Sequence, residues 1–321
     1  MRRKNERENM ENVEEVTMTR KKCLLRTMMF VPGHIEKLMG KASKCDADAL
    51  VLDLEDSCKP NSNKEVARQV IRKSVESGLF DKFQVFVRVN PRGTGFLMKD
   101  VMELTLEGIT GFLYPMAKSA ADIIFFSELL SEIEMMKGFE SGKFLIFPVI
   151  ETGGGVLNAR EICAVSERVV ALGFGSEDFT QEMESIRDSA DVSIFAPRAL
   201  IAFGARAEGV IPIDTPHVNI HDLEGLERHC TDSKTLGYGG IQILHPKEIE
   251  IAHKVFSPGE QEMEDAREMI RLAEEAEKED RGVVVMNGKF IGPPLVKKAR
   301  KVIALADLII QHNEKRRSFD A

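Results

Sequence analysis

Six acidic residues and one arginine stand where apolar runs stop. The run ALVLD ends on Asp53 and continues as Leu54-Glu55-Asp56. The run VFVRVN carries Arg88 and Asn90, FLIFPVI is followed at once by Glu151, and ALGF leads into Gly175-Ser176-Glu177-Asp178. Glu151 and Asp178 are 27 residues apart and follow consecutive runs. Neighbouring parallel strands lie about 4.8 Å apart, so both carboxylates can reach one ion. Two carboxylates with coordination positions left open suit Mg²⁺, which keeps waters and takes substrate oxygens as its other ligands. Arg88, on the same rim, can clamp a substrate carboxylate through a bidentate fork. Taken singly, each acid reads equally well as a helix N-cap or a surface ion pair. Several together at the ends of apolar runs are harder to explain that way, because a core does not tolerate unpaired charge.

Other residues offer weaker chemistry. Thr152-Gly153-Gly154-Gly155 can cradle an anion with its backbone N–H groups. It lacks the GK[ST] of a P-loop, so a flexible turn serves as well. His217 and His221 are four apart, but Pro216 argues against a helix and no third metal ligand is evident. His245 follows the last apolar run and either faces a site or packs beside it. Cys58 has no evident partner base, so it is not expected to be a nucleophile. Met28, Met29 and Met116 read as packing residues.

Elements must position these groups. Eight short apolar runs recur at 27–31, 49–53, 84–90, 111–114, 144–150, 169–174, 210–214 and 240–244. Helical patterns separate them, among them 34–45, 63–77, 120–136 and 197–208. Eight strands alternating with helices predict a (β/α)₈ barrel. A doubly wound sheet is the alternative, weakened because no GxGxxG follows the first strand. In a barrel, chemistry sits at the C-terminal strand ends, where these acids fall. From about Pro258 the pattern changes. Residues 259–282 carry apolar positions Met263, Ala266, Met269, Ile270 and Ala273 on a charged helical ribbon, and a second helix is expected over 295–311. The expected organisation is a flexible tail over 1–22, a barrel over 23–257 and a helical lid or oligomerisation extension over 258–321.

Composition narrows the class. Of 321 residues, 43% are hydrophobic and 30% charged, enough for a large core. The net charge of −8 argues against nucleic-acid binding. No apolar run approaches the roughly 18 residues of a membrane span. Five scattered cysteines without a CxxC suit reduced thiols in the cytoplasm better than disulfides or zinc. The first 22 residues are mixed in charge and no apolar segment follows Arg2-Arg3-Lys4, so no secretory signal is expected.

Seven segments together are similar to a known family. They are RTMMFVPG (26–33), KASKCDADALVLDLEDS (41–57), VFVRVN (85–90), IET (150–152), LGFGSEDF (172–179), LGYGGIQILHP (236–246) and NGKFIGPPLVKKA (287–299). They resemble the citrate lyase β-subunit-like branch of the HpcH/HpaI aldolases, relatives of malyl-CoA and citramalyl-CoA lyases, over about residues 22–310. The resemblance implies a TIM barrel with a C-terminal helical extension. It implies Mg²⁺ held by Glu151 and Asp178, with Arg88 binding the carboxylate of a keto-acid portion. Arg26 and Gly175 join Arg88 and Glu151 as expected substrate-binding residues. The implied activity is carbon–carbon cleavage of a 3-hydroxyacyl thioester, on CoA or an acyl carrier protein, to a keto acid and an acetyl-type thioester. Trimers or hexamers are implied, with the extension closing over a neighbour's site.

The chain departs from the pattern at three points. Gly292 stands where the family has an aspartate supplied across the subunit interface. Met116 replaces the lysine of LPK, with Lys118 two residues on, and Ile241 replaces a lysine of GxGK. Asp53 and Glu55 are then the candidate bases, or groups that order Mg²⁺ waters. Two other readings stand beside the lyase. One is a paralogue that binds an acyl thioester or serves in a citrate lyase complex without turnover. The other is a Mg²⁺ aldolase acting on free hydroxy-keto acids.

Overall fold

A computed structural model describes residues 23–186, 191–279, 284–286 and 288–320. The expected tail over 1–22 lies outside the described residues. The chain divides into two compact units, the first ending at Ala252 and the second beginning at His253.

In the first unit eight parallel strands close on themselves. They are β1 (Thr27–Pro32), β2 (Ala49–Asp53), β3 (Gln84–Arg88), β4 (Gly111–Tyr114), β5 (Leu145–Ile150), β6 (Ala171–Phe174), β7 (Ile211–Asp214) and β8 (Gly240–Ile243). β8 pairs back onto β1, with Thr27 opposite Ile241, so the barrel is shut and the doubly wound alternative is excluded. Helices lie between the strands, including α1 (Glu36–Ala42), α2 (Asn63–Glu76), α3 (Leu97–Leu104) and α4 (Ala120–Lys137). Two short helices, α5 (Gly153–Leu157) and α6 (Ala159–Ala164), follow β5; α7 (Ser176–Glu182) and α8 (Val192–Ala207) follow β6, and α9 (Leu223–Leu236) follows β7.

The barrel interior explains why the rim is polar. Met28, Ala49, Val51, Phe86, Leu113, Phe147, Val149, Ala171 and Ile213 form one buried cluster drawn from β1 to β7. Side chains alternate faces along a strand, so residues two apart share a face. Val51 inside places Asp53 inside, Phe86 does the same for Arg88, and Val149 for Glu151. These polar residues are therefore the top layer of a filled barrel.

Element ends differ from the sequence reading for physical reasons. The first helix starts at Glu36, not His34, because Gly33 is tied down: its N–H donates to Asp53 O, and a Cβ there would sit 2.5 Å from that oxygen. Pro197 does not begin its helix; α8 starts at Val192 and carries the proline inside. In the second unit, described by itself, α10 (Glu260–Lys278) packs on α11 (Pro293–Asp320), which runs past the expected end at 311. Between them β9 (Val284–Met286) and β10 (Lys289–Ile291) pair antiparallel.

Candidate active site

Asp53 and Arg88 face each other across β2 and β3 in register. Arg88 Nε donates to Asp53 Oδ1 at 2.6 Å and Nη2 to Oδ2 at 2.7 Å. Asp53 also accepts from the N–H groups of Glu55 and Ser57 and from the Ser57 hydroxyl. It is thus a hub that folds the Leu54–Ser57 turn over the barrel mouth. Arg88 Nη1 points at Glu55 Oε2, 3.1 Å away, and at Asp56 Oδ2, 3.4 Å away. Phe30 of β1 lies under the guanidinium, 5.1 Å from ring centre to Cζ. The side-on fork of Arg88 is therefore spent on Asp53, and its end-on Nη1/Nη2 edge is what remains for a substrate.

Glu151 follows β5 and is 5% exposed. Its Oε2 accepts from the N–H of Met116 at 2.8 Å. Met116 holds φ of 55°, a left-handed conformation unusual for a side chain of its size, and so aims this N–H at the carboxylate. On the other side lies Gly175: a Cβ there would come within 2.6 Å of Glu151 Cγ and 2.8 Å of Oε1. Gly175 therefore serves by having no side chain. Asp178 lies in the first turn of α7, exposed at the mouth.

The electrostatics show an excess of acid. Burial raises Glu55 to about 8; Arg88 pulls it down, while Glu151, Asp56 and Asp53 push it further up. Burial also raises Glu151 to about 7, opposed by the Met116 N–H and reinforced by Asp178. Asp178 is raised by desolvation and by Asp56. Asp53 goes the other way. Burial would raise it, but Arg88, Ser57 and the Glu55 N–H hold it below the ordinary value. An all-oxygen donor set, two acids within one another's field and uncompensated negative charge fit a hard divalent cation. Among the described residues no group of three His, Cys, Asp or Glu could by itself hold a metal. Glu151 and Asp178 are only two, so water or substrate would complete the shell.

Several sequence expectations are corrected. Arg26 lies at the opposite end of the barrel, before β1, where Nε and Nη2 grip the buried Asp48 at 2.8 and 2.7 Å. It faces away from the mouth and is not placed to bind substrate there. Asp53 is no base, because Arg88, Ser57 and the Glu55 N–H occupy its carboxylate. The Thr152–Gly155 segment already has its anion: Glu182 accepts from the Gly153 N–H, and Thr152 Oγ1 from the Gly155 N–H. Cys58 does have a neighbouring base, His34 Nδ1 at 3.4 Å, but its thiol donates to Asp53 O and burial raises its pKa. His245 caps the turn after β8 by accepting from the Lys247 N–H. His217 meets the His229 ring edge-on, 6.0 Å between centres, and His221 sits exposed with its N–H on Asn219. All five cysteines are buried and none is in a disulfide. No helix among the described residues is long and apolar enough to cross a membrane.

Comparison with known proteins places the chain in a family. The HpcH/HpaI aldolase/citrate lyase family model matches residues 26–246. The citrate lyase β subunit of Haemophilus influenzae is 30% identical over 283 residues, covering 88% of this chain and 97% of that protein. The (3S)-malyl-CoA thioesterase of Cereibacter sphaeroides is also 30% identical, covering 88% and 95%. A citrate lyase β subunit from Mycobacterium tuberculosis, solved with oxaloacetate and magnesium, superposes with a TM-score of 0.61 at 25% identity. It covers 76% of this chain and 99% of that one. The family model spans well over half of the sequence, and this chain belongs to the HpcH/HpaI aldolase/citrate lyase family.

Proposed function

We propose that the protein is a Mg²⁺-dependent carbon–carbon lyase that cleaves a 3-hydroxyacyl thioester into a keto acid and an acetyl-type thioester. The observation that carries this reading is the set of carboxylates gathered on one arginine at the barrel mouth. Glu151 and Asp178 would hold Mg²⁺, whose charge acidifies a bound hydroxyl and stabilises a developing enolate. The end-on edge of Arg88 would take the substrate carboxylate in place of Glu55 and Asp56, fixing the orientation of the bond to be broken. Glu55, with its carboxyl near 8, is suited to proton exchange near neutrality. As a carboxylate it takes the hydroxyl proton. The oxygen electrons form the ketone as the carbon–carbon bond breaks, and that bond's pair passes to the thioester fragment as an enolate. Glu55 then returns the proton to the enolate carbon, so the cycle balances without a residue at Gly292. The thioester carrier is CoA or an acyl carrier protein, and the working form is a homotrimer or hexamer in the cytoplasm.

The test is mass-spectrometric product analysis with citramalyl-CoA, malyl-CoA and citryl-CoA, each with Mg²⁺ and with EDTA. Acetyl-CoA together with pyruvate, glyoxylate or oxaloacetate, lost in EDTA, is the expected result. Free CoA with an intact hydroxy acid would instead mean thioester hydrolysis. A second reading, binding without turnover, is favoured by Gly292. It predicts keto-acid binding, no product, and lyase activity gained in Gly292→Asp.

A further inference from the structure

Lys64 is a lysine on the wrong face of its helix. Along α2 the buried stripe runs Lys64, Ala67, Arg68, Ile71, Val75. An ammonium on such a stripe needs three acceptors, since each unmet donor in the interior is costly. Lys64, 4% exposed, has them: the carbonyls of Leu54 and Glu55 at 3.0 and 3.1 Å, and Asn90 Oδ1 at 2.5 Å. Asn90 is fixed in turn. Its side-chain amide donates to Asp100 Oδ2 at 2.6 Å, and its N–H to the same oxygen at 3.0 Å. Asp100 Oδ1 accepts from Arg68 Nη1 at 2.7 Å. A closed, buried network thus joins two helices, the end of β3 and the turn after β2.

The turn after β2 has no regular structure to hold it at Glu55, whose φ of −93° and ψ of −104° are neither helical nor extended. Its side chain nevertheless sits 3.1 Å from Arg88. Asp53 ties the turn from above through the Glu55 and Ser57 N–H groups. Lys64 ties it from below through two consecutive carbonyls. We infer that Lys64 is a positioning residue that sets the Glu55 carboxyl against Arg88, with Asn90, Asp100 and Arg68 fixing Lys64 in turn. This inference rests on the lyase reading for its catalytic consequence, though not for its structural one.

The test compares wild type with Lys64→Met, and with Lys64→Gln in case the first folds poorly. Two quantities are measured on folded protein: amide hydrogen exchange over 54–58, and kcat and KM with the active thioester. Local exchange should quicken by about 10-fold while barrel-strand amides keep their protection. kcat should fall by about 100-fold, the scale expected for small misplacements, with KM within about twofold. The acid-side limb of the pH–rate profile, where Glu55 must lose its proton to act as base, should move in the same variant. Glu55→Gln should lose that limb, and adding Lys64→Met to it should cost little more. Unchanged exchange over 54–58, or a kcat loss fully additive with Glu55→Gln, overturns the inference. If wild type turns over no thioester, the exchange arm alone decides the positioning role. The failure then belongs to the lyase reading.

Discussion

The two ends of the barrel handle charge in opposite ways. At the N-terminal end, before the strands begin, acid and base are matched one to one. Arg26 grips Asp48, and Arg168 grips Glu134 through both oxygens at 2.6 Å. Burial would raise Glu134, but Arg168 and the N–H groups of Phe144 and Gly142 hold it below its ordinary value. At the C-terminal end one guanidinium serves Asp53, Glu55 and Asp56, with Glu151 and Asp178 close enough to share the field. There Glu55, Glu151 and Asp178 are raised. Matched buried charge is structure; unmatched buried charge is stored interaction energy that only a ligand can release.

Substitutions can break this contrast. The largest effect is expected from Glu151→Gln. Turnover should fall by about 10³-fold while the melting temperature holds or rises, because an uncompensated acid has been removed. A melting temperature that drops with activity would mean Glu151 is structural. Arg168→Met should do the reverse. It leaves Glu134 buried without its partner and should cost about 3–5 kcal/mol in a urea titration, with activity per folded molecule unchanged.

Gly175→Ala sharpens the contrast within the mouth. A methyl group 2.6 Å from Glu151 Cγ must move that carboxylate. Mg²⁺ affinity by calorimetry should weaken by about 10–100-fold with little change in stability. An unchanged affinity would separate Glu151 from the metal.

The smallest effect is in the pH dependence of the metal-free protein. Folded Glu55 and Glu151 keep protons up to about 8 and 7, which unfolded glutamates release near 4.5. The native state then binds more protons, so these two contribute stability that is full below about 4.5 and lost as pH rises to 8. Glu134 is lowered, so its contribution is present above about 4.5 and lost on acidification. Urea midpoints should decline from pH 5 to 8 in wild type and flatten in Glu55→Gln. A midpoint that rises over that range would contradict the assignment.

Much of this was legible in the sequence because strands announce themselves by apolar runs. β2 and β4 have the expected bounds, and Glu151 stood out because nothing apolar could explain it. Arg26 misled because its motif begins at the start of a strand, and chemistry sits at strand ends. Gly175 was named for a contact, whereas its use is the absence of one. Lys64 went unread although the signal was there: a charge on the apolar stripe of an amphipathic helix demands buried acceptors. The Met116 N–H has no sequence signal, because a backbone donor is aimed by a dihedral angle and any residue supplies it.

The central claim is that the acid-rich mouth holds a divalent cation. Isothermal titration of Mg²⁺ at pH 8 tests it most directly, on wild type, Glu151→Gln, Asp178→Asn and Arg168→Met. One site per chain in wild type and Arg168→Met, lost in the other two, is the predicted result. Equal binding in all four, or none in wild type with a keto acid present, would contradict it.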